Sequence, residues 1–374
     1  MLYAEDGNLV KTWAANSSNS TETAAKTRIW KVQLAINTPG NRTLTFKGGT
    51  TNKTPVTNEK TVSFSVANTA ITSVTAQYDV IAKGGNQVFI VKTPLETTKV
   101  VEYAEDGKTL VKTWEASSAD CTVSGGVRTW TLTQKINTAG NRNLIFKGGN
   151  KNFINPSGKT ASFKVLSAVP VTADYFPHLR FRNWISENVD TNHDGKLSES
   201  ELGVKVININ DLGVRNLKGI EFFTSLEEFY CVDCDIESLD LSRNILLEYL
   251  DCTTNDFTEI DLSANRNLRE VHLDCTHLTS LDMSDHPLLY WLDCSNCEIT
   301  SLNVSNCPAL DYLDCRLNQI EKLDLKDNTK LETLWATDNL LTTLDLSNNP
   351  ALREVRVDSG VTVRGIDSKC IIRG

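Results

Sequence analysis

A twelve-residue stretch near the middle of the chain carries the oxygen ligands that calcium prefers. Residues 190–201 read DTNHDGKLSESE, which matches the D-x-N-x-D-G-x5-E pattern of an EF-hand loop. Gly195 permits the sharp turn that such a loop makes, and Leu197 is expected to point inward. The predicted calcium ligands are five side chains and, at the seventh position, a backbone carbonyl: Asp190, Asn192, Asp194, Ser198 and Glu201, with Lys196 supplying the carbonyl.

The alternative interpretation of this loop is a turn that keeps the shape without the metal. EF-hands normally work in pairs, and the sequence contains one such loop, followed by a short segment that ends near Gly203. A structural Ca²⁺ ion that stiffens a junction is therefore favoured over a calcium sensor. A dockerin-like role is a third interpretation, against which the single copy of the loop argues.

Motifs for catalysis are missing from the sequence. It has no G-x-S-x-G, no H-E-x-x-H and no phosphate-binding loop, and its five histidines have no nucleophile partner. Asp293 and Asp314 could imitate the acid pair of a glycosidase, but the open repeat structure predicted below implies no pocket. We expect that this chain is not an enzyme.

The second half of the chain repeats every 21 residues. Its frame is L-x-x-L-x-C/L-x-x-N-x-I/L-x-x-L-D-L-S-x-N. Position four is apolar in all seven repeats and position fourteen in the six full ones. Stacked coils of this kind share one continuous core, so residues 226–374 are predicted to form a leucine-rich-repeat solenoid. Position one is occupied by Leu226, Leu247, Leu268, Leu289, Leu310, Leu331 and Leu352.

Nine of the ten cysteines lie in this repeat region. Cys231/Cys234 and Cys294/Cys297 have the C-x-x-C spacing of zinc ligands, but they are three repeats apart. That is about 14 Å for strands stacked at ~4.8 Å, whereas thiolate ligands lie about 2.3 Å from zinc. One shared zinc site is thus excluded, and buried thiols that pack as small apolar groups are expected.

Side chains at positions three and five of each repeat are predicted to point outward, because they flank the inward position four of a strand. Aromatic and acidic residues are concentrated there, and exposed tyrosine and tryptophan dominate many binding interfaces. The alternative is that these rings pair with neighbouring strands and bind nothing. The candidate partner-binding residues are Tyr230, Tyr249, Asp251, Trp291, Asp293, Tyr312, Asp314 and Trp335.

The first half contains one module nearly twice. YAEDG recurs at residues 3 and 103, and FKGG at residues 46 and 146. Short runs rich in β-branched and aromatic residues, with no helical pattern, predict an immunoglobulin-like β-sandwich. The first copy lacks its opening strands, so we expect a fragment of a longer protein, with the signal sequence and further modules upstream. The expected core aromatics are Trp13, Trp30, Trp114 and Trp130.

The predicted fold is therefore multidomain. It comprises a truncated immunoglobulin-like repeat (1–70), a second such repeat (71–168), a linker with the EF-hand-like loop and a solenoid cap (169–225), and the solenoid (226–374). The net charge of −9 argues against a nucleic-acid partner. The sequence has no apolar run of 18 residues, which argues against membrane insertion.

Residues 292–306, LDCSNCEITSLNVSN, and their near-repetition from residue 313 resemble bacterial cell-surface leucine-rich-repeat proteins. These are the internalin-like proteins common in gut Firmicutes and Bacteroidetes. Residues 176–201 and LKGIEFF at 217–223 resemble their capping region, and the front modules look like bacterial immunoglobulin-like repeats. Internalins have a longer repeat frame and typically lack a complete calcium loop. The resemblance implies an extracellular or cell-surface binding protein but no particular ligand. The aromatic and acidic sheet face favours a protein partner, with a surface glycan as the alternative ligand.

Overall fold

The computed structural model describes residues 69–117, 121–150, 153–366 and 370–373, together with six strands in the first 66 residues. The side chains of Trp13 and Trp30 lie outside the described residues, so the sandwich predicted for residues 1–70 stays a prediction. The six strands are Leu2–Tyr3, Leu9–Lys11, Ser20–Glu22, Arg28–Trp30, Gly40–Gly49 and Pro55–Val66.

The chain forms two compact units, each of which combines several segments. The first unit comprises Met1–Asp79, Gln87–Gln134 and Asn141–Phe163. The second comprises Val80–Asn86, Lys135–Gly140 and Lys164–Gly374.

Residues 73–166 contribute strands to two sheets. The order in the five-stranded sheet is Leu110–Glu115, Lys99–Tyr103, Gly140–Asn150, Phe153–Leu166 and Val80–Ala82. The order in the four-stranded sheet is Cys121–Ser124, Val127–Lys135, Asn86–Pro94 and Ser73–Ala76. Neighbouring strands are antiparallel where their pairing is described, except that Lys164–Leu166 runs parallel to Val80–Ala82.

Aromatic side chains fill the core between these sheets. Phe89 of the four-stranded sheet meets Phe146 of the five-stranded sheet, with 4.9 Å between ring centroids. Trp114 and Trp130 are buried, as predicted, and the indole N–H of Trp130 donates to Thr93 Oγ1 at 3.0 Å. This segment is therefore a two-layer β-sandwich with an aromatic core.

The second unit begins with an irregular cap. The helix Leu179–Asn188 buries Phe181 and Ile185. The short strands Val169–Pro170 and Lys196–Leu197 pair antiparallel, and two 3₁₀ turns follow at Glu201–Gly203 and Ile220–Phe222.

Nine parallel strands, one per coil, then build a single sheet. The strand Val206–Asn208 stacks on the first leucine repeat, so the sheet starts one coil before Leu226. From there the order follows the chain: Glu228–Tyr230, Tyr249–Asp251, Glu270–His272, Trp291–Asp293, Tyr312–Asp314, Thr333–Trp335, Glu354–Val357 and Ile371–Arg373. Elsewhere in the coils, Ser280–Asp282 pairs with Ser301–Asn303, and Thr343–Asp345 pairs with Thr362–Arg364.

The apolar frame positions share one interior. Residues at position four are register partners, for example Leu250 with Val271 and Leu313 with Leu334. All seven position-one leucines are at most 6% exposed and belong to one core that runs from the cap to Val361. The structure thus confirms a leucine-rich-repeat solenoid. Among the described residues no helix is long and apolar enough to cross a membrane.

Two internal ladders of polar side chains join successive coils. At position nine, Asn255 Nδ2 donates to Cys231 O of the preceding coil, and Asn318 Nδ2 donates to Cys294 O, both at 2.8 Å. The thiols of Cys234 and Cys297 take the same place and donate to carbonyls of the coil before them, at 2.9 and 3.3 Å. The cysteines at position nine are therefore rungs of the ladder.

The second ladder lies at position nineteen. Asn265 Nδ2 donates to Leu241 O and Asn244 O of the preceding coil. Asn349 Nδ2 donates in the same way to Leu325 O and Asn328 O. His286 and Cys307 occupy two of its rungs, each beside a carbonyl of the preceding coil. On the surface, the aspartates of position fifteen accept the N–H two residues on, as in Asp261 with Ser263. These aspartates therefore cap the turns that follow them.

A buried carboxyl in the sandwich makes its stability depend on pH. Glu102 is fully buried, and its Oε2 has no hydrogen-bond partner. Burial raises the pKa of Glu102 from 4.5 to about 7, although Gln134 and Lys112 partly oppose this. The folded protein thus keeps a proton that the unfolded chain releases, so the free energy of unfolding falls as pH rises from 4.5 to 7. We expect Glu102→Gln to remove this loss, of about 3 kcal/mol.

Urea unfolding at pH 4 and pH 8, followed by tryptophan fluorescence, measures this effect. Glu102→Gln is expected to resemble the wild type at pH 4 and to be more stable than it at pH 8. Glu105→Gln, at a half-exposed carboxyl that pairs with Arg142 at 3.3 Å, is the matched control. An equal change at both pH values would contradict the assigned cause.

One repeat places a leucine where the backbone is left-handed. Position eight has positive φ throughout, with Asp233, Thr254, Cys275, Asn296, Leu317 and Asp338 at φ of 52 to 57°. Leu317 is 51% exposed, so its side chain gains little from burial.

Because asparagine tolerates this conformation better than leucine, Leu317→Asn should raise the free energy of unfolding by about 0.5–1 kcal/mol. Leu340→Asn, at a residue that is 56% exposed and outside the left-handed group, should not. Equal urea midpoints for the two variants would count against the backbone explanation.

Candidate functional site

The loop Asp190–Glu201 is closed by hydrogen bonds of its own carboxylates. Asp190 is 2% exposed, and its two oxygens accept the N–H groups of Asp194 and Gly195 at 3.2 and 2.9 Å. Asn192 Oδ1 accepts the Asp194 N–H at 2.8 Å. Gly195 has φ +75°, so the turn uses the conformational freedom of glycine.

Glu201 folds back from the end of the loop to its beginning. Oε1 accepts the N–H and the hydroxyl of Thr191 at 3.0 Å, and Oε2 accepts the N–H and the hydroxyl of Ser198 at 2.9 and 2.7 Å. These hydrogen bonds, led by those from Ser198, lower the pKa of Glu201 to about 2. The carboxylate is therefore negatively charged across the physiological pH range.

The remaining predicted ligands lie on the same loop. Asp194 Oδ1 accepts the Lys196 N–H at 2.9 Å, and Ser198 is held beside Glu201. Leu197 is fully buried and pairs with Val169 across the short two-stranded sheet. The loop is thus anchored to the core on one side, while carboxylate, amide and hydroxyl oxygens lie on the other. That donor chemistry fits a hard cation such as Ca²⁺.

The partner-binding candidates lie on the nine-stranded sheet. In its three-residue strands the middle side chain is buried, and the flanking side chains are half-buried in most cases. The rings of six flanking residues form a continuous row, in which neighbouring centroids are 3.6 to 6.3 Å apart. We call this row the aromatic row: Tyr230, Tyr249, His272, Trp291, Tyr312 and Trp335.

The centre of the aromatic row is a parallel stack. Trp291 and Tyr312 are register partners, with centroids 3.6 Å apart and planes inclined by 8°. Burial and nearby aspartates raise the pKa of Tyr312, and the same causes raise that of Tyr249. Both phenols therefore stay protonated and can donate hydrogen bonds.

Trp335 lies between two arginines at one end of the aromatic row. The guanidinium carbons of Arg316 and Arg356 are 4.4 and 4.3 Å from its ring centroid. Its indole N–H donates to Glu354 Oε1 at 2.9 Å, and Arg356 Nε donates to the same oxygen at 2.7 Å. These contacts hold the ring in place through cation–π attraction and hydrogen bonds.

The three candidate aspartates differ in accessibility. Asp251 and Asp293 are half-buried, and burial together with the charges of Asp314 and Asp274 raises the pKa of Asp293. Asp314 is 1% exposed, and Arg316 binds both of its oxygens at 2.7 to 3.1 Å. The Asp314 carboxylate is therefore already neutralised within the protein and is not offered to a partner.

The candidate partner-binding residues predicted from the sequence did not include His272, Arg316, Arg356 and Glu354. Arg356 and His272 occupy position five and Glu354 position three, so the frame placed them on the outward side of the sheet. Arg316 lies at position seven, beyond the strand. No periodic pattern in the sequence predicts that its side chain contacts the ring of Trp335.

No protein-family model and no curated protein sequence matches the chain. Among solved structures, the chain is similar to an internalin C2 from Listeria monocytogenes, with 20% identity over 56% of this chain and 98% of that one (TM-score 0.49). It is also similar to the functional domain of InlJ from L. monocytogenes, which includes a cysteine ladder, with 25% identity and a TM-score of 0.41. The chain spans 54% of that domain. YopM from Yersinia pestis, a leucine-rich effector, matches at 17% identity over 49% of this chain and 55% of that one (TM-score 0.37).

Proposed function

We propose that this chain is a non-catalytic recognition module that binds another protein on the aromatic row, outside the cell. The observation that carries this proposal is the row itself, since six partly exposed rings run without interruption across six consecutive coils. The hydrophobic core already has its own side chains, so the rings are not needed to fill it.

Rings held in this way suit binding. Tyrosine and tryptophan offer a large contact area and lose little conformational entropy when a partner covers them. Trp335 is fixed further by Arg316, Arg356 and Glu354, so one end of the row is preorganised for contact.

Charge along the row favours a polypeptide partner. Arg316 and Arg356, each paired with a carboxylate, flank Trp335, whereas Glu228, Asp251 and Glu270 lie near the opposite end. A surface with both signs of charge next to rings matches the mixed character of protein surfaces.

Carbohydrate binding is the second candidate function. The half-buried carboxylate of Asp293 beside Trp291 and Tyr312 has the composition of a sugar site. The stacking of Trp291 on Tyr312 argues against a sugar site. The ring centroids are 3.6 Å apart, so one face of each ring is covered by the other ring and cannot contact a sugar. We therefore place protein binding first.

The proposal includes a structural Ca²⁺ ion in the loop Asp190–Glu201. Asp190, Asn192, Asp194, Ser198 and Glu201 would supply side-chain oxygens, and Lys196 its carbonyl. The low pKa of Glu201 supports this, because its carboxylate is charged before any metal arrives. The ion would stiffen the cap next to the first coil.

An extracellular or cell-surface location agrees with calcium supply and with the state of two buried thiols at position six. Burial raises the pKa of Cys231 and Cys294 well above the usual value, so these groups carry almost no reactive thiolate. We further propose that the sandwich modules are immunoglobulin-like spacers, which carry the solenoid on a stalk.

Truncation of the aromatic row tests the recognition function. We expect Trp291→Ala and Trp335→Ala each to weaken partner binding by about 30-fold or more, since buried interface tryptophans contribute about 2 kcal/mol or more. The purified chain would be screened against an array of extracellular proteins and a glycan array, and dissociation constants of hits would be measured by surface plasmon resonance.

Leu340→Ala is the control, because Leu340 is an exposed apolar residue outside the sheet strands. Binding should be unchanged in this variant. Protein hits that both tryptophan variants retain at full affinity would contradict the assigned face. Hits confined to glycans and lost in both variants would favour the carbohydrate function instead.

Calcium should raise the thermal stability of the cap and solenoid. At a free Ca²⁺ concentration 100 times the dissociation constant, the stabilisation is about 2.7 kcal/mol. Glu201→Gln should lose most of it, because the substitution removes one negative charge and one strong oxygen ligand. Melting curves in Ca²⁺ and in EDTA, with titration calorimetry, measure the effect.

The matched control is Glu199→Gln, two residues earlier in the same loop and outside the predicted ligand set. It should respond to calcium like the wild type. Identical melting of the wild type in Ca²⁺ and in EDTA, with no heat of binding, would mean that the loop keeps its shape without the metal.

A further inference from the structure

Three metal-ligating side chains meet beside the middle of the aromatic row. One ring nitrogen of His272 and one carboxylate oxygen each of Asp274 and Asp293 lie within 4.8 Å of one another. His272 and Asp274 belong to one coil and Asp293 to the next, so the sheet register His272↔Asp293 brings them together. All three side chains are half-buried. Among the described residues this is the one group of three such ligands that approach this closely.

The spacing of these atoms leaves room for one ion at their centre. Three points that are no more than 4.8 Å apart always fit in a circle of radius about 2.8 Å. Zinc binds imidazole nitrogen at about 2.0–2.1 Å and carboxylate oxygen at about 2.0–2.2 Å. Rotations that move each ligand atom by less than about 1 Å therefore complete the coordination distances.

Neighbouring groups already orient the three ligands. His272 Nε2 lies 2.9 Å from Glu270 Oε1, so the carboxylate of Glu270 holds the imidazole in place. Thr253 Oγ1 donates to one oxygen of Asp274 at 2.8 Å, and the Ser295 N–H donates to one oxygen of Asp293 at 3.0 Å. A carboxylate that orients a histidine is typical of metal sites in proteins.

The charge at this position is not balanced by the protein. Asp314, one coil further, is neutralised by Arg316 at 2.7 Å. Within the part of the chain that the structure describes, no lysine or arginine nitrogen lies within 4.0 Å of an Asp274 or Asp293 oxygen. Two carboxylates thus face one another beside an imidazole, without a cation of the protein between them.

We propose that His272, Asp274 and Asp293 bind a Zn²⁺ ion, at a site separate from the calcium loop. An imidazole favours zinc over calcium or magnesium, which prefer sites made of oxygen alone. Three protein ligands leave the fourth tetrahedral position open. His272 and Asp293 belong to the same sheet strands as the aromatic row, and water or a side chain of a bound protein would supply the fourth ligand. Zinc binding does not rest on the proposed recognition function, since it can be measured without a partner.

Zinc titration of the full chain tests this site. Untagged protein saturated with Ca²⁺ would be titrated with Zn²⁺ by calorimetry, in a Cys275→Ser background that removes an exposed competing thiol. We expect one Zn²⁺ per chain. His272→Ala and Asp293→Asn should each lower the affinity at least tenfold, and Glu270→Gln should lower it about tenfold by releasing the imidazole.

His277→Ala is the matched control, because this exposed histidine lies in the same coil and contacts Glu298 instead. It should bind Zn²⁺ like the wild type. Circular dichroism of each variant checks the fold. As an independent readout, Co²⁺ should quench the fluorescence of Trp291, whose ring is 6.3 Å from His272, and Trp291→Phe should remove this component. Zinc binding that is unchanged in both His272→Ala and Asp293→Asn, or no one-to-one binding in the wild type, would overturn the proposal.

Discussion

The solenoid depends on hydrogen-bond donors for the backbone carbonyls that its coils bury. Each coil turns through irregular backbone as well as through a three-residue strand, so many of its carbonyls find no partner in the sheet. A buried carbonyl without a donor costs about 1–3 kcal/mol, and two such positions recur in every coil. The side chains at positions nine and nineteen supply the donors, as Asn255 and Asn265 show. They join each coil to the one before it and set the distance between strands.

That constraint explains which residues can replace asparagine. Cys234, Cys297 and Cys307 place a thiol beside the carbonyl, and His286 places a ring nitrogen there. All of these groups can donate a hydrogen bond and fit in a small dry space. Lysine, glutamate and the apolar residues do not meet both conditions. The choice of residue is less restricted on the surface, because side chains at positions three and five face outward and need not donate to a buried carbonyl. The aromatic row could therefore arise there without disturbing the stack.

Much of the architecture could be predicted from the sequence, because periodicity encodes it directly. The 21-residue spacing of leucines from Leu226 to Leu352 predicts the stacking and the inward role of position four. The thiols of Cys234 and Cys297 were expected to pack as small apolar groups, but they also donate hydrogen bonds to carbonyls of the coil before them. Position nineteen was overlooked as a ladder because His286 and Cys307 break the run of asparagines. The burial of Asp314 was not foreseen either, since it depends on a bend of the Arg316 side chain that no spacing reveals.

The functional groups that escaped prediction share a physical reason. Asp274 lies seven positions into one coil and Asp293 five positions into the next, so their proximity depends on backbone path as well as on register.

The ladders also have a consequence for how such a protein can change over generations. Because rungs such as Asn255 and Asn265 contact only the coil before them, duplication or loss of a whole 21-residue unit leaves the remaining rungs of this kind intact. The length of the ring-bearing surface can thus be altered by recombination within the gene, without redesign of the interior.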